Sequence, residues 1–215
     1  MTPELAALAS PRTPQHIQLI ELPASAIHAL AAGDLAAANR CAPITLTHFF
    51  VDDAVWRRRS RQISAHPASA AWVTRAIWDD NSQVAVGRAG YHGPPDPAGM
   101  VEVGYAVDPL FRRRGFANAA LEALLARASS ESRVRTVRAT ISPDNLASRL
   151  LVQQYGFVEV GEQWDDEDGL ETIYEVSSPQ VDAEQVRPHG SPALADARPD
   201  LGRCPATRRP GSAAT

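Results

Sequence analysis

The stretch Val101–Ala128, VEVGYAVDPLFRRRGFANAALEALLARA, constrains the fold more than any other part of the chain. Its first half reads as a strand, with Glu102, Gly104 and Ala106 on one face and Val101, Val103, Tyr105 and Val107 on the other. Its second half reads as a helix that gathers Phe116, Ala120, Leu121, Leu124, Leu125 and Ala128 on one side. Only a short loop joins them, so the helix must pack back onto the sheet that holds the strand. That loop carries three consecutive arginines and a glycine. A helix N-terminus leaves backbone N–H groups unpaired, the helix dipole favours an anion there, and a glycine lets the backbone approach closely. Arginines add forked donors. Arg112, Arg113, Arg114, Gly115, Phe116 and Ala117 therefore form a candidate pyrophosphate cradle. A basic turn that merely starts a helix fits the same residues, and the stretch alone does not choose.

The remaining pattern predicts a mixed α/β fold in the order β-α-α-β-β-β-α-β-α-β-β, a central sheet of about seven strands with about four helices. HIQLIEL is a strand and PASAIHALAAGD a short helix ending near Gly33. A second helix follows, capped by Asp52 or Asp53 and stopped by Pro67. AAWVTRAIWDD and SQVAVGRAGYHG form a hairpin across DDNS, and VRTVRATI is a strand. SPDNLASRLLVQQYG is a helix opened by Asp or Asn and closed at Gly156; FVEVGEQW and LETIYEVS form a last hairpin. Three prolines punctuate residues 1–14, which read as a loose tail. Residues 178–215 are rich in Pro, Ala and charge without apolar period and read as disordered. One domain over residues 15–177 is the expectation.

A formal net charge of -4 argues against a general nucleic-acid binder. The two cysteines, Cys41 and Cys204, have no metal-ligand or disulfide spacing, and Cys41 is expected to be a small buried residue. No apolar run reaches the length of a membrane span and no secretory leader is visible, so a cytoplasmic protein without a metal is expected.

Arg112-x-x-Gly115-x-Ala117 resembles the acetyl-CoA signature of the GNAT N-acetyltransferases, Arg/Gln-x-x-Gly-x-Gly/Ala. The resemblance extends to VEVGYAVDP before it and to SPDNLASRLLVQQYGFVEVG after it, covers roughly Gln15 to Ser177, and looks closest to the ribosomal-protein-alanine N-acetyltransferase branch. It implies that acetyl-CoA is the co-substrate and an amine, small or at a peptide N-terminus, the acceptor. It further implies that Tyr105, Ala106 and Val107 pair with the pantetheine arm by their backbone, and that Asn145 and Ser148 lie near the cofactor. Glu102 is the implied base; the alternative is a strand glutamate that faces solvent or pairs with an arginine. His92 reads as an exposed polar residue first and a base second.

The chain departs from the family pattern at Val152, where many members carry a tyrosine general acid. Tyr155 stands three residues further on, reads as a packing residue and does not inherit that role. In the family the acceptor pocket comes from the early helices and the last hairpin, here Phe49, Phe50, Trp56, Trp164 and the run Asp165, Asp166, Glu167 and Asp168. Such an acidic run attracts a cationic amine or reads simply as a solvated turn, as the RRRSR helix face also does. Monomer and homodimer are both compatible. A non-catalytic acyl-CoA-binding module is the alternative reading, and a nucleic-acid binder built on the two arginine clusters is the remote one.

Overall fold

The computed structural model describes residues 16–51, 54–166 and 169–178. The described residues all belong to one compact unit. The expected tails, the Asp52/Asp53 cap and the acidic residues Glu167 and Asp168 fall outside them. Ser178, expected to open the C-terminal tail, instead continues the fold: it is buried and its N–H donates to the Arg135 carbonyl at 2.8 Å.

Seven strands form one sheet, β1 (Ile17–Ile20), β2 (Arg75–Asp79), β3 (Val84–Tyr91), β4 (Met100–Val107), β5 (Thr136–Ile141), β6 (Val158–Asp165) and β7 (Gly169–Ser177), in the spatial order β1-β2-β3-β4-β5-β7-β6. The helices are α1 (Ala24–Ala31), α2 (Leu35–Cys41), α3 (Ala54–Ala65), α4 (Phe116–Ser130) and α5 (Leu146–Gln154). Five helices replace the four expected, because α2 was hidden in what reads as a loop. Gly33 at φ 75° ends α1, and the next residue, Asp34, caps α2 by accepting from the Ala37 N–H at 2.8 Å. A Gly-Asp pair thus closes one helix and opens another. Cys41 is exposed rather than buried, since it ends this extra helix instead of lying in a packed loop.

The sheet has two unlike faces. Val101, Val103 and Val107 of β4, with Val137, Ala139 and Ile141 of β5, pack against Phe116, Ala120, Leu121, Leu124 and Ala128 of α4 and Val152 of α5. This is the side of α4 that the sequence pattern marks, with Leu125 at its half-buried edge. Helices α1 to α3 cover the other face with a second core of Ile27, Leu30, Phe50, Trp56 and Ile63 over β2 and β3. Phe50 and Trp56 are each 0% exposed and stacked at 5.9 Å, so they are core and not acceptor-pocket residues. Trp56→Ala is expected to lower the unfolding free energy by about 3–5 kcal/mol in urea melts. Trp56→Phe should cost far less, because the indole N–H is buried without a partner and nothing is lost with it.

Candidate active site

Two features of β4 create the site. The first is a parallel ladder that stops early. β4 pairs with β5 from Met100↔Thr136 to Glu102↔Arg138, yet the strands run on to Val107 and Ile141. On their outer sides both stay paired, β4 with β3 up to Gly87↔Val107 and β5 with β7 up to Ile141↔Thr172. A wedge therefore opens between them, and it leaves the backbone groups that β4 turns toward β5 at Tyr105 without a strand partner, where an extended ligand can satisfy them.

The second feature is the turn after β4. Asp108 is buried and accepts from the Leu110 N–H at 2.9 Å, and Pro109 starts a single 3-10 turn, Pro109–Phe111. Arg113 and Gly115 then take positive φ, 62° and 93°. Gly115 is the N-cap of α4 without a side-chain cap, and the first intrahelical bond runs from Ala119 N–H to Gly115 O. The preceding N–H groups of Phe116, Ala117 and Asn118 have no partner within the helix. The arginines divide their work. Arg112 Nε donates to the Val107 carbonyl at 3.2 Å and ties the loop to the strand end. Arg112 and Arg113 line the cleft, whereas the Arg114 guanidinium sits 5.3 Å over the Phe111 ring. The cleft, about 820 Å³, runs from Tyr105 past Phe111 and Phe116 to Leu150 and Leu151. Its polar end and apolar wall fit a pyrophosphate joined to a pantetheine arm.

A second cleft of about 570 Å³ opens on the other side of β4, beneath α3. Tyr105, Asn145 and Ser148 line both clefts and mark their junction. Asn145 caps α5, its Oδ1 accepting from the Ser148 N–H at 3.2 Å, which leaves the amide nitrogen out of the cap. The Tyr105 hydroxyl is buried without a hydrogen-bond partner; Ser148 is near enough to affect its ionisation but not in bonding geometry. Burial raises the Tyr105 phenol above its usual value, so it stays protonated.

Glu102 lies behind the second cleft, against His92 and Thr140, which line it. Its Oε1 accepts from Thr140 Oγ1 at 2.5 Å and lies 3.2 Å from His92 Nδ1. Burial pushes the Glu102 carboxyl up. The His92 hydrogen bond and charge, the Thr140 hydroxyl and the Arg138 guanidinium together outweigh that and hold it below the ordinary carboxylate range. With Nδ1 turned to Glu102, Nε2 is presented above Gly104, where an added Cβ would come within 2.9 Å of it. His92 stands in the bend just past β3 with its side chain 38% exposed, as its position suggests, and strand pairing also sets it across from Glu102: its N–H donates to the Glu102 carbonyl at 2.8 Å. Thr140 had no sequence signal either, since strand pairing and not spacing brings it to Glu102.

The RRRSR face is likewise not wholly solvated. Arg57 and Arg61 are exposed, but Arg59 is 3% exposed and Arg58 half-buried, and both line the second cleft with Arg88. The residues expected to shape the acceptor pocket lie elsewhere. Phe49 packs edge-on against Phe50 at 5.6 Å, Trp164 is 75% exposed, and Asp165 and Asp166 sit at the β6–β7 turn. Tyr155 packs against the α4 core and donates to Glu122 Oε1 at 2.7 Å, as a packing residue would.

Residues 26–158 match the model of the acetyltransferase (GNAT) domain. The chain belongs to the GNAT acetyltransferase family. The GNAT chain is 35% identical over 88 residues to an uncharacterized N-acetyltransferase of Bacillus subtilis, 41% of this chain and 51% of that protein. It is 41% identical over 66 residues to an L-2,4-diaminobutyric acid acetyltransferase of Streptomyces anulatus, 31% of this chain and 38% of that protein. It thus spans about half or less of the length of the curated relatives it matches. The fold is shared with a ribosomal L7/L12 alpha-N-protein acetyltransferase solved with coenzyme A, at a TM-score of 0.55 and 16% identity, covering 79% of this chain and 97% of that one. Among the described residues no helix is long and apolar enough to cross a membrane.

Proposed function

We propose that this GNAT protein transfers an acetyl group from acetyl-CoA to a primary amine held in the second cleft. The observation that carries the reading is the meeting of two clefts at Tyr105, Asn145 and Ser148, one ending in the positive-φ turn and the other lined by His92, with Glu102 behind its ring. The backbone of Tyr105, Ala106 and Val107 holds the pantetheine arm in the wedge. The N–H groups from Gly115 to Ala117, with Arg112 and Arg113, hold the pyrophosphate, and Arg114 fixes the loop through Phe111. Asn145 and Ser148 flank the arm near the acyl end. Bound there, acetyl-CoA supplies an activated acetyl group.

An ammonium has no lone pair, so the acceptor must lose a proton. The Glu102–His92 pair takes it up: His92 Nε2 is the accepting atom, and the Glu102 carboxylate balances the imidazolium charge that results. At the junction itself the Tyr105 hydroxyl holds a proton in a desolvated position, which the CoA thiolate receives as the amine displaces it and the carbon–sulfur bond breaks. It fills the part left open by Val152, which is 0% exposed in the core and carries no donor.

The test follows release of the CoA thiol when the protein meets acetyl-CoA and a panel of primary amines. Turnover with stoichiometric acetyl-amine supports the reading. Tight acetyl-CoA binding with no transfer to any amine overturns it in favour of an acyl-CoA-binding module. Tyr105→Phe is expected to lower kcat about tenfold or more while the melting temperature holds or rises, because the hydroxyl removed is a buried group without a partner. Equal loss of activity and stability would instead make Tyr105 a packing residue.

A further inference from the structure

His92 stands just beyond the last β3–β4 pair, Tyr91↔Val103, where the chain leaves the sheet for the irregular segment 92–99. The ladder no longer fixes its carbonyl. Helix α3 does so instead: Arg59 Nη1 donates to that carbonyl at 3.0 Å and Gln62 Nε2 at 2.8 Å. A carbonyl oxygen has two lone pairs, and α3 supplies a donor for each. Arg59 and Gln62 are three residues apart on α3, so they share one face of it. They also hold each other, Arg59 Nη1 donating to Gln62 Oε1 at 2.9 Å. That contact settles how the Gln62 amide lies. Arginine has only donors, so Oε1 must face it, and Nε2 is left to face the His92 carbonyl. Gly93 makes room for the approach, since a Cβ there would come within 3.2 Å of Gln62 Nε2.

The arrangement costs more than packing requires. Arg59 is 3% exposed, and the acceptors it reaches are neutral: Thr74 Oγ1 at 3.3 Å, Gln62 Oε1 and the His92 carbonyl. Glu102 supports its charge only from a distance. An apolar side chain would hold α3 on the sheet without desolvating a guanidinium. It could not point at one carbonyl. The residue so held is the one that faces the amine. β4 fixes the His92 N–H and Nδ1 through Glu102, at 2.8 Å and 3.2 Å, and Nε2 lies over Gly104 in the second cleft. The ring is thus pinned from β4 and the carbonyl from α3. A tilt of roughly 10–20° at this residue moves Nε2 by about 1 Å, more than a productive base tolerates.

We propose that Arg59 and Gln62 are positioning residues for the transfer: they clamp the His92 carbonyl to α3 and so aim Nε2 at the acceptor amine. The proposal rests on the transferase reading above and adds two residues that act through His92. It also gives the RRRSR stretch a role, with Arg59 turned inward as a strut.

The decisive variant is Gln62→Glu. A carboxylate keeps the shape and gives Arg59 a stronger acceptor, but it sets an oxygen without a proton against the His92 carbonyl. A packing role predicts unchanged turnover. The clamp predicts a kcat lower by about tenfold or more, with the melting temperature kept and KM for acetyl-CoA and amine within about twofold. The rate is read on the high-pH plateau, so that an effect of the new charge on base strength does not enter. Gln62→Met removes the donor without adding charge and should lower kcat in the same way. Arg59→Lys keeps the charge but not the fork, and should likewise lower kcat rather than raise KM. Wild-type kcat in any of the three, or a higher KM with kcat unchanged, overturns the proposal. A second readout needs no turnover. In protein with isotope-labelled histidine nitrogens, at alkaline pH where the imidazole is neutral, wild-type His92 is expected as one tautomer, Nδ1–H with a bare Nε2, and as a mixture in Gln62→Met. Its signal is assigned by its loss in His92→Gln. If no amine is acetylated, the transferase reading falls and this spectrum alone decides the clamp: mixed tautomers in the variant sustain it as the device that orders His92, and an unchanged single tautomer ends it.

Discussion

Gly115→Glu is expected to weaken acetyl-CoA binding by more than about a hundredfold in calorimetric titration, with little change in the far-ultraviolet spectrum of the fold. Two effects act together. Gly115 sits at φ 93°, where an L side chain is strained, so glutamate would pull the loop out of the conformation that aims the α4 N–H groups outward. Whatever conformation it takes, it places a carboxylate where the pyrophosphate is to bind, and like charges at one helix N-terminus exclude each other. Each effect costs on the order of 1–2 kcal/mol, and together they reach the roughly 2.7 kcal/mol of a hundredfold loss. Unchanged affinity would show that the turn after β4 only starts a helix. Arg112→Ala should act differently and more weakly. Its side chain is committed to the Val107 carbonyl, so its loss loosens the junction of strand and loop as well as removing charge.

Glu102→Gln is expected to lower kcat by about a hundredfold to ten-thousandfold while leaving acetyl-CoA affinity in place. The amide keeps the shape and an acceptor oxygen for Thr140 and His92, but no longer balances an imidazolium. The decisive readout is the pH profile. The acid limb of the wild-type rate profile should shift or flatten in the variant, which a purely structural role would not do. Stability gives an independent check. The folded-state pKa of Glu102 is depressed, so its stabilising effect is fully present above the ordinary carboxylate pKa and is lost as pH falls through the lower folded value. Denaturation midpoints of Glu102→Gln should therefore depend less on pH across the acid range than those of the wild type. An unchanged rate would return Glu102 to the role of a strand carboxylate tied to its neighbours.

Much of this architecture was legible in the sequence. The alternation from Val101 to Val107 and the helical stripe from Phe116 to Ala128 fix which faces are apolar, because burying that surface leaves a strand and a helix one way to lie together. The turn chemistry is also local: Asp108, Pro109 and Gly115 mark the place where the chain leaves the sheet and starts α4. Asn145 as the cap of α5 and Gly156 as its end are of the same kind. Local backbone preference and side-chain period act over a few residues, so a single sequence records them.

What tertiary structure decided is the company each polar residue keeps. His92 and Glu102 lie ten residues apart in a sequence that gives them no helical or turn relation, and the antiparallel β3–β4 pairing sets them face to face. Thr140 reaches the same carboxylate from β5, just where the parallel ladder stops. Trp56 and Arg59 share one helix. Packing sends the first into the second core and the second over the sheet's polar strip, reversing which of them shapes the cleft. The sequence by itself determined every element but α2, their apolar faces and the glycine turn that opens α4, because those follow from interactions within one segment. The Glu102–His92 contact and the buried Tyr105 hydroxyl exist only once distant strands and helices close on one another, since each depends on burial and charge contributed by other segments.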